Sequence, residues 1–599
     1  MISAQTLPEL VFNILPYHNK ANCLKAKKGG VYTDISAAEV VQTVEALAAR
    51  LIDMGVRKGD RVGLLAENRA EWAYTDLAVL CTGAITVPVY STLPAKQVEY
   101  ILQDSEMEML FVSTETQWKK IMEVRKETRL NKIVVMDPFS QKDELTTDLP
   151  TILSDGREAL KKNPDMVRSR AAECKRDDVF SIIYTSGTTG EPKGVMLTHG
   201  NVLSNVEGIQ SRFTFTPEDV ALSFLPLSHI FERMAGYYTM LYYGCTIAYA
   251  ESVEAMPKNL TEVQPTILIS VPRVYEKFYQ RITDNVAAEH GLKKSLATWA
   301  LGIAEKYTEA KVGAGAGVPA ALSLKYAIAN ALVFRKIRGR LGGRLRLMIS
   351  GGAALPRQLA YFFYGLGMTI TEGYGLTETS PVIACNCPAK FKFGTVGLAI
   401  PGVEVRVAED GEILTRGPHV MKGYYKKPKE TSEVITADGF FRTGDIGEFD
   451  ADGFIRITDR KKDLIVTSGG KNVAPQFVEN TLKTSRYISQ IVVIGDKRKF
   501  PCALIVPNRD NLLKFAASNN VPESEMLTNR AVLAEVMRDI DSLSKDLASF
   551  ERVKKIALLE HEFTIEAGDM TPSLKIKRNV VERKYKDLID SLYAEAVME

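Results

Sequence analysis

Between residues 37 and 112 the apolar positions switch repeatedly between two periods. "AAEVVQTVEALAARLIDMG" spaces them as a helix does, with Gly55 placed to stop it. "RVGLLA" (61–66) predicts a short buried strand, "AEWAYTDLAVLCTG" a second helix, and "AITVPVY" and "MLFVST" two further strands. Strands alternating with helices predict parallel βαβ units in a layered α/β core. The pattern returns at "VFSIIYT" (179–185) and at "TILISV" (266–271), which precedes the helical "PRVYEKFYQRI". It appears again at "LRLMIS" (345–350), with a helix from about Pro356, and at "MTITEGYG". Loops that follow parallel strands are where open α/β sheets bind ligands.

Two stretches depart from this rhythm. Residues 281–344 are helical and alanine-rich, interrupted by "VGAGAGVPAA" and ending in the basic "FRKIRGRLGGR". They predict a helical insertion whose outer face meets either solvent or a membrane surface. After "DGFIRITDRKKD" the chain reads as a hairpin ("QIVVIGDKRKFPCALIVPN"), a long helix (about 527–549), a strand ("KKIALLE") and a C-terminal helix. That is a compact α+β unit, and a boundary near Asp459 divides the chain into a large domain (1–458) and a small one (459–599).

Composition narrows the class. The 599 residues are 45% hydrophobic and 25% charged, the mix of a globular protein with large cores. The net charge of +3 is the remainder of 76 basic and 73 acidic side chains, which predicts no nucleic-acid partner. Seven scattered cysteines suit a reducing compartment, and Cys385-x-Cys387 without a second pair predicts core or loop cysteines, not a metal site. There is no secretory pattern at the N-terminus and no apolar run long enough to span a bilayer. The expected location is cytoplasmic, with a peripheral contact at the inner face of a membrane left open, as is a homodimeric state.

The densest chemistry follows the strand at 179–185. "YTSGTTGEPKG" (184–194) packs hydroxyls and glycines from Thr185 through Ser186, Gly187, Thr188, Thr189 and Gly190, then supplies Lys193. Glycines let successive backbone N–H groups form an anion nest, hydroxyls add donors, and the lysine adds a point charge. The stretch predicts a phosphate cradle, although it lacks the Gly-Lys-Ser/Thr of a Walker A loop. Tyr374 stands between Gly373 and Gly375 and is expected in a turn, its ring free to stack on a base. A carboxylate near phosphates, as Glu378 would be, suits Mg²⁺. Asp445 in "TGDIG" is expected on a tight turn, either as a hydroxyl acceptor or as an Asx-turn residue. His229 in "PLSHIF" is either a core histidine or part of a binding wall.

The ordered set "YTSGTTGEPKG", "LPLSHIFER", "SGGAALP", "TEGYGLTET", "GEILTRGPHVMKGYY", "FRTGDIG", "DRKKDLI" and "TPSLKIKR" strongly resembles the motifs of the adenylate-forming superfamily, over nearly the whole chain. That resemblance implies an ATP or AMP site of Thr185, Ser186, Gly187, Thr188, Thr189, Gly190, Gly352, Ala353, Glu372, Gly373, Tyr374, Gly375, Thr377, Asp445 and Arg460. It implies Mg²⁺ on Thr185 and Glu378, ribose hydroxyls on Asp445, and an acyl wall that includes His229. Lys193 and Lys575 become the catalytic cations, with Lys577 in reserve because this chain reads Ser573-Leu574-Lys575 where many relatives read Ser-Gly-Lys. Lys462 becomes the hinge about which the small domain rotates. Gly469, Gly470 and Lys471 become part of a coenzyme A channel, although Val466 stands where some relatives carry a lysine.

The insertion at 281–344 resembles that of long-chain acyl-CoA synthetases. The expected reaction is therefore activation of a long fatty acid by ATP, then transfer to CoA. A ligase for shorter or aromatic acids, an acyl-adenylate ligase serving a carrier protein, and a non-catalytic binder are the alternatives.

Overall fold

The computed structural model describes residues 3–140, 143–185, 191–312, 317–565, 567–571 and 575–594. The helix Ala37–Asp53 starts on a capping box: the Ser36 hydroxyl accepts from the Glu39 amide while the Glu39 carboxylate accepts from the Ser36 amide. Val40, Val44, Leu47 and Leu51 form its buried face, and Gly55 ends it with φ +89°.

Two large sheets carry the N-terminal domain. In the eight-stranded sheet, Val179–Thr185, Ile85–Val89, Arg61–Leu65, Met109–Val112, Lys132–Val135 and Thr146–Asp148 run parallel in that spatial order. In the nine-stranded sheet the parallel set is Leu24–Lys28, Thr246–Tyr249, Val220–Ser223, Ile267–Ser270, Leu347–Ser350 and Ile370–Gly375. Antiparallel strands join these parallel sets. Lys193–Thr198 pairs antiparallel with Val179–Thr185, because a seven-residue return (186–192) is too short for a parallel crossover. Glu404–Val407, Glu412–Arg416, Phe441–Phe449 and Ile455–Arg460 make a separate antiparallel sheet.

The core includes one buried ion pair. Asp76 accepts from the guanidinium of Arg233 and from the Tyr238 hydroxyl, and Arg233 also donates to Ser181 at 2.7 Å; both charged side chains are wholly buried. Removing either partner would strand a charge, so the group ties together three segments that pack between the sheets. All seven cysteines are free, and six of them are buried.

The insertion forms helices Gly291–Val312 and Ala320–Ala329, joined face to face by Tyr307 stacking on Tyr326 at 3.8 Å. It is less solvated than the sequence suggests. Ala300, Ile303, Ala304 and Thr308 are buried, and a Cβ on Gly365 of helix Arg357–Gly365 would come within 2.9 Å of Ala304.

In the C-terminal region Ile488–Ile494 and Cys502–Pro507 form the expected hairpin, with Lys555–Leu558 added in parallel. The helix expected at about 527–549 is shorter, Arg530–Leu543. Asn529 caps its start, and the Ser544 amide donates back to the Ile540 carbonyl at its end. Among the described residues no helix is long and apolar enough to cross a membrane.

Candidate active site

The glycine-rich segment 186–192 links two strands that pair with one another inside the eight-stranded sheet, which puts the residues flanking it side by side. Thr185 and Lys193 are cross-strand partners, and the Thr185 hydroxyl donates to the Lys193 carbonyl at 3.5 Å. Gly423–Tyr424 pairs on the other side of Lys193–Thr198 and sets the Tyr424 ring 4.9 Å from the Lys193 ammonium. The Tyr424 hydroxyl donates to the Glu378 carboxylate at 2.9 Å. Ser186, Gly187, Thr188, Thr189 and Gly190 lie outside the described residues. Tyr424 is a site residue that sequence reasoning passed over. Its only signal was a place in "MKGYY", since nothing local links it to residue 378.

Thr185 and Glu378 offer a hydroxyl and a carboxylate, the hard-oxygen donors Mg²⁺ prefers. No cluster of three or more His, Cys, Asp or Glu that could cage a metal exists among the described residues. Two protein oxygens fit an ion that keeps most of its waters.

The candidate base and ribose residues lie on strand Ile370–Gly375, the 350–356 loop and strand Phe441–Phe449. Tyr374 lies in the strand and not in a turn, because Gly373 and Gly375 keep pairing with Cys385 and Val382. Gly375 is needed for close approach: a Cβ there would sit 1.6 Å from the Pro381 carbonyl oxygen. Asp445 likewise lies in a strand, not on a tight turn, with Gly444 absorbing a φ of +71° beside it. Its carboxylate is nearly buried, accepting from the Tyr374 hydroxyl at 2.8 Å and from Arg460 Nε at 2.9 Å. A carboxylate has about four acceptor sites, so two neighbours leave capacity for a pair of hydroxyls.

Glu372 is buried and accepts from the Leu355 amide at 3.0 Å, which braces the loop carrying Gly352 and Ala353. Burial pushes its pKa up to about 8, partly offset by that amide. Gly352 holds φ +79°, Ala353 is exposed, and Thr377 opens the short turn Thr377–Thr379 that carries Glu378.

Lys575 is presented by a turn in which its amide donates to the Thr571 hydroxyl at 3.1 Å and the Thr571 amide to its carbonyl at 2.7 Å. The residue is exposed at the surface, although neighbouring protein desolvates its ammonium. Desolvation there, then the Arg460 guanidinium, lowers its pKa to about 8, while Asp445 and Asp463 pull the other way. Its charge also reaches His229, where burial first and Lys575 second lower the imidazole to about 4. His229 is therefore neutral, and its Nδ1 accepts from the Phe231 amide at 3.1 Å. Lys575, Arg460, Asp445 and His229 thus converge from both domains. Lys577 instead precedes helix Arg578–Lys584.

A narrow apolar cavity of about 30 Å³ is lined by Phe231, two residues after His229, and by Met234, Ala235, Met240, Ile349 and Gly373 among others. Gly373 is the neighbour of Tyr374, so the cavity adjoins the nucleotide strand. Lys462 occupies the exposed turn after strand Ile455–Arg460, next to Lys461, whose ammonium is held by Asp410 at 2.7 Å and Glu412 at 3.2 Å. Gly469, Gly470 and Lys471 form the exposed tip of the small hairpin Ile465–Val466 and Asn472–Val473, where Gly470 has φ +72°.

Thr185 paired with Lys193, Asp445 held by Tyr374 and Arg460, and Lys575 supplied from the C-terminal region make up a candidate nucleotide site. Residues 17–425 match the AMP-binding enzyme family, and residues 462–597 match the AMP-binding enzyme C-terminal domain. The long-chain-fatty-acid–CoA ligase FadD15 of Mycobacterium bovis is 37% identical over 94% of this chain and 93% of its own length. Long-chain-fatty-acid–CoA ligase 5 of Rattus norvegicus is 31% identical, covering 98% of this chain and 89% of its own. Among solved structures, the adenylation domain of a carboxylate reductase from Mycobacterium chelonae superposes with TM-score 0.77 at 22% identity, over 98% of this chain and 91% of that one. The anthranilate–CoA ligase AuaEII, in complex with anthranoyl-AMP, gives TM-score 0.73 at 22% identity over 98% of both chains. The chain belongs to the AMP-binding enzyme family.

Proposed function

We propose that this enzyme converts a long-chain fatty acid, ATP and coenzyme A into acyl-CoA, AMP and pyrophosphate. The carrying observation is the convergence of Lys575 with Asp445, Arg460 and His229 at a site adjoining an apolar cavity. In the first step a carboxylate oxygen bonds to the α-phosphorus of ATP as pyrophosphate leaves. Two anions approach one another, and the ammonium groups of Lys575 and Lys193 offset the charge that accumulates. Asp445 holds the ribose and Tyr374 holds Asp445. Mg²⁺, when bound by Thr185 and Glu378, supplies further charge neutralisation at the phosphates.

In the second step the CoA thiol gives up its proton and its sulfur bonds to the acyl carbon. The carbon–oxygen bond of the anhydride breaks, and AMP leaves with the electron pair. Rotation at Lys462 would withdraw Lys575 and bring Gly469, Gly470 and Lys471 toward the thiol path. The cavity supports an apolar acyl group but is small as it stands. Its walls include Met234 and Met240, unbranched side chains that repack readily. The preference for long chains rests on the relatives named above.

Mass-spectrometric product analysis with palmitate, Mg-ATP and the purified chain, with and without CoA, tests this reading. Palmitoyl-CoA with AMP supports it. Acyl-adenylate that never becomes thioester would point to a carrier-protein acceptor, and no turnover with any acid would leave a binder.

A membrane contact is the second part of the proposal. Leu324, Ile328 and Leu332 repeat every four residues along Ala320–Phe334 and are 65%, 45% and 45% exposed. Residues 317–346 contain seven basic side chains and no acidic one. Among the described residues Lys325, Arg335, Lys336, Arg340 and Arg344 form no ion pair. An apolar stripe edged by unpaired cations is complementary to an anionic bilayer.

A further inference from the structure

One face of helix Pro272–Ala288 carries a polar stripe that meets only the C-terminal domain. Arg273 donates to the Ser489 carbonyl and, at 3.2 Å, to the Ser489 hydroxyl. Glu276 lies 3.5 Å from Arg273 and 4.0 Å from Lys483. Gln280 donates to the Ile488 carbonyl at 3.3 Å, and Asp284 accepts from Asn511 at 3.5 Å. Positions 273, 276, 280 and 284 are covered or half-covered, whereas 277, 281 and 285 are exposed, so a single stripe is engaged. These contacts are hydrogen bonds and ion pairs, and the apolar cores of the two regions are separate clusters. Such a surface fixes direction without the large apolar burial that would make it permanent. The helix follows directly on strand Ile267–Ser270 of the nine-stranded sheet, so it is as rigid as the sheet itself.

We infer that this stripe, with Arg273 at its head, is the positioning element that holds the C-terminal domain where Lys575 reaches the site. Arg273 touches no substrate; it acts through Lys575. The inference rests on the reading that Lys575 serves acyl-adenylate formation. The fork of Arg273 pins Ser489 at the start of strand Ile488–Ile494, the first strand of the sheet on which the Lys575 turn is built. Gln280 and Asp284 hold the same domain two turns or more along the helix, which prevents pivoting about one contact.

The test separates the half-reactions in Arg273→Ala, Lys575→Ala and the double variant. Acyl-adenylate formation is read by pyrophosphate–ATP exchange, and thioester formation from supplied palmitoyl-adenylate and CoA. Arg273→Ala should lower exchange about tenfold while leaving the thioester step within about twofold, and Arg273→Lys should recover part of the loss. In the Lys575→Ala background, Arg273→Ala should add nothing, because both changes remove the same ammonium from the same place. Equal loss in both half-reactions, or multiplicative losses in the double variant, would overturn the inference. Normal exchange in Arg273→Ala beside a deep loss in Lys575→Ala would remove the stripe alone. Normal exchange in Lys575→Ala would remove the lysine reading and the inference with it. Gln280→Ala, milder in structural cost, should reproduce the same split at smaller amplitude.

Discussion

The Tyr374 hydroxyl donates to the Asp445 carboxylate at 2.8 Å and so joins the nine-stranded sheet to the four-stranded one across the nucleotide pocket. Arg460 holds the other carboxylate oxygen, and the Lys575 ammonium lies within the field of both. The Asp445 carboxylate is thus fixed by a tyrosine from one sheet and by Arg460.

Removing that hydroxyl should loosen Asp445 without deleting it. Tyr374→Phe is expected to raise the KM for ATP about three- to tenfold with a smaller change in kcat, as loss of one hydrogen bond to a charged group does. Asp445→Asn should cost more, since it also removes the partner of Arg460. Steady-state kinetics with varied ATP check both.

Lys575→Ala should slow adenylation by about 100-fold or more, the scale of losing a preorganised charge at the reacting centre. The lysine must be protonated to act, and desolvation and Arg460 bring its pKa down to about 8. The wild-type adenylation rate should therefore hold below pH 8 and fall as pH rises through it. Pyrophosphate exchange from pH 6.5 to 9.5 measures the limb. A rate unchanged up to pH 9.5 contradicts the assignment.

Glu372 carries a stability prediction. Burial raises its folded-state pKa to about 8, above the 4.5 of the free carboxyl. The folded state keeps a proton that the unfolded state has released, so stability from this group is full below pH 4.5 and is lost as pH climbs toward 8. Glu372→Gln keeps an acceptor for the Leu355 amide and cannot ionise. Its melting temperature should exceed that of the wild type at pH 8, and the gap should close at pH 5.

The apolar cavity gives opposite expectations for filling and emptying. Ala235→Phe should reduce kcat/KM for palmitate about tenfold or more relative to octanoate, because the added ring takes the space the chain needs. Met234→Ala should move the preference toward bulkier or longer acids. A competition assay over chain lengths reads the direction, and a thermal melt identifies overpacking.

For the stripe on Ala320–Phe334, sedimentation with vesicles of equal parts phosphatidylglycerol and phosphatidylcholine should capture the chain. Capture should weaken with pure phosphatidylcholine, with high salt, and in the Leu324→Ser/Ile328→Ser variant. Equal capture by neutral vesicles would reject the role of the cations. Kinetics on soluble octanoate should not change.

Much was legible in the amino-acid order because it depends on neighbours along the chain. The strands at 61–65, 85–89, 109–112 and 179–185, the capped helix at 37–53 and the 488–507 hairpin follow from periods of two and 3.6 and from turn residues. The motifs named the chemistry in the same way, as short runs of particular side chains. What only the tertiary structure decided is which of those runs face one another. Strand pairing made Thr185 and Lys193 neighbours and brought Tyr424 between Lys193 and Glu378. It also put Tyr374 in a strand and not in the expected turn, with its hydroxyl on Asp445, 71 positions away. Arg273 and Ser489, 216 positions apart, meet only because two domains dock. Local sequence sets backbone preference and side-chain character, but contacts between distant segments are selected by the burial of whole faces, and no short run of residues carries that information.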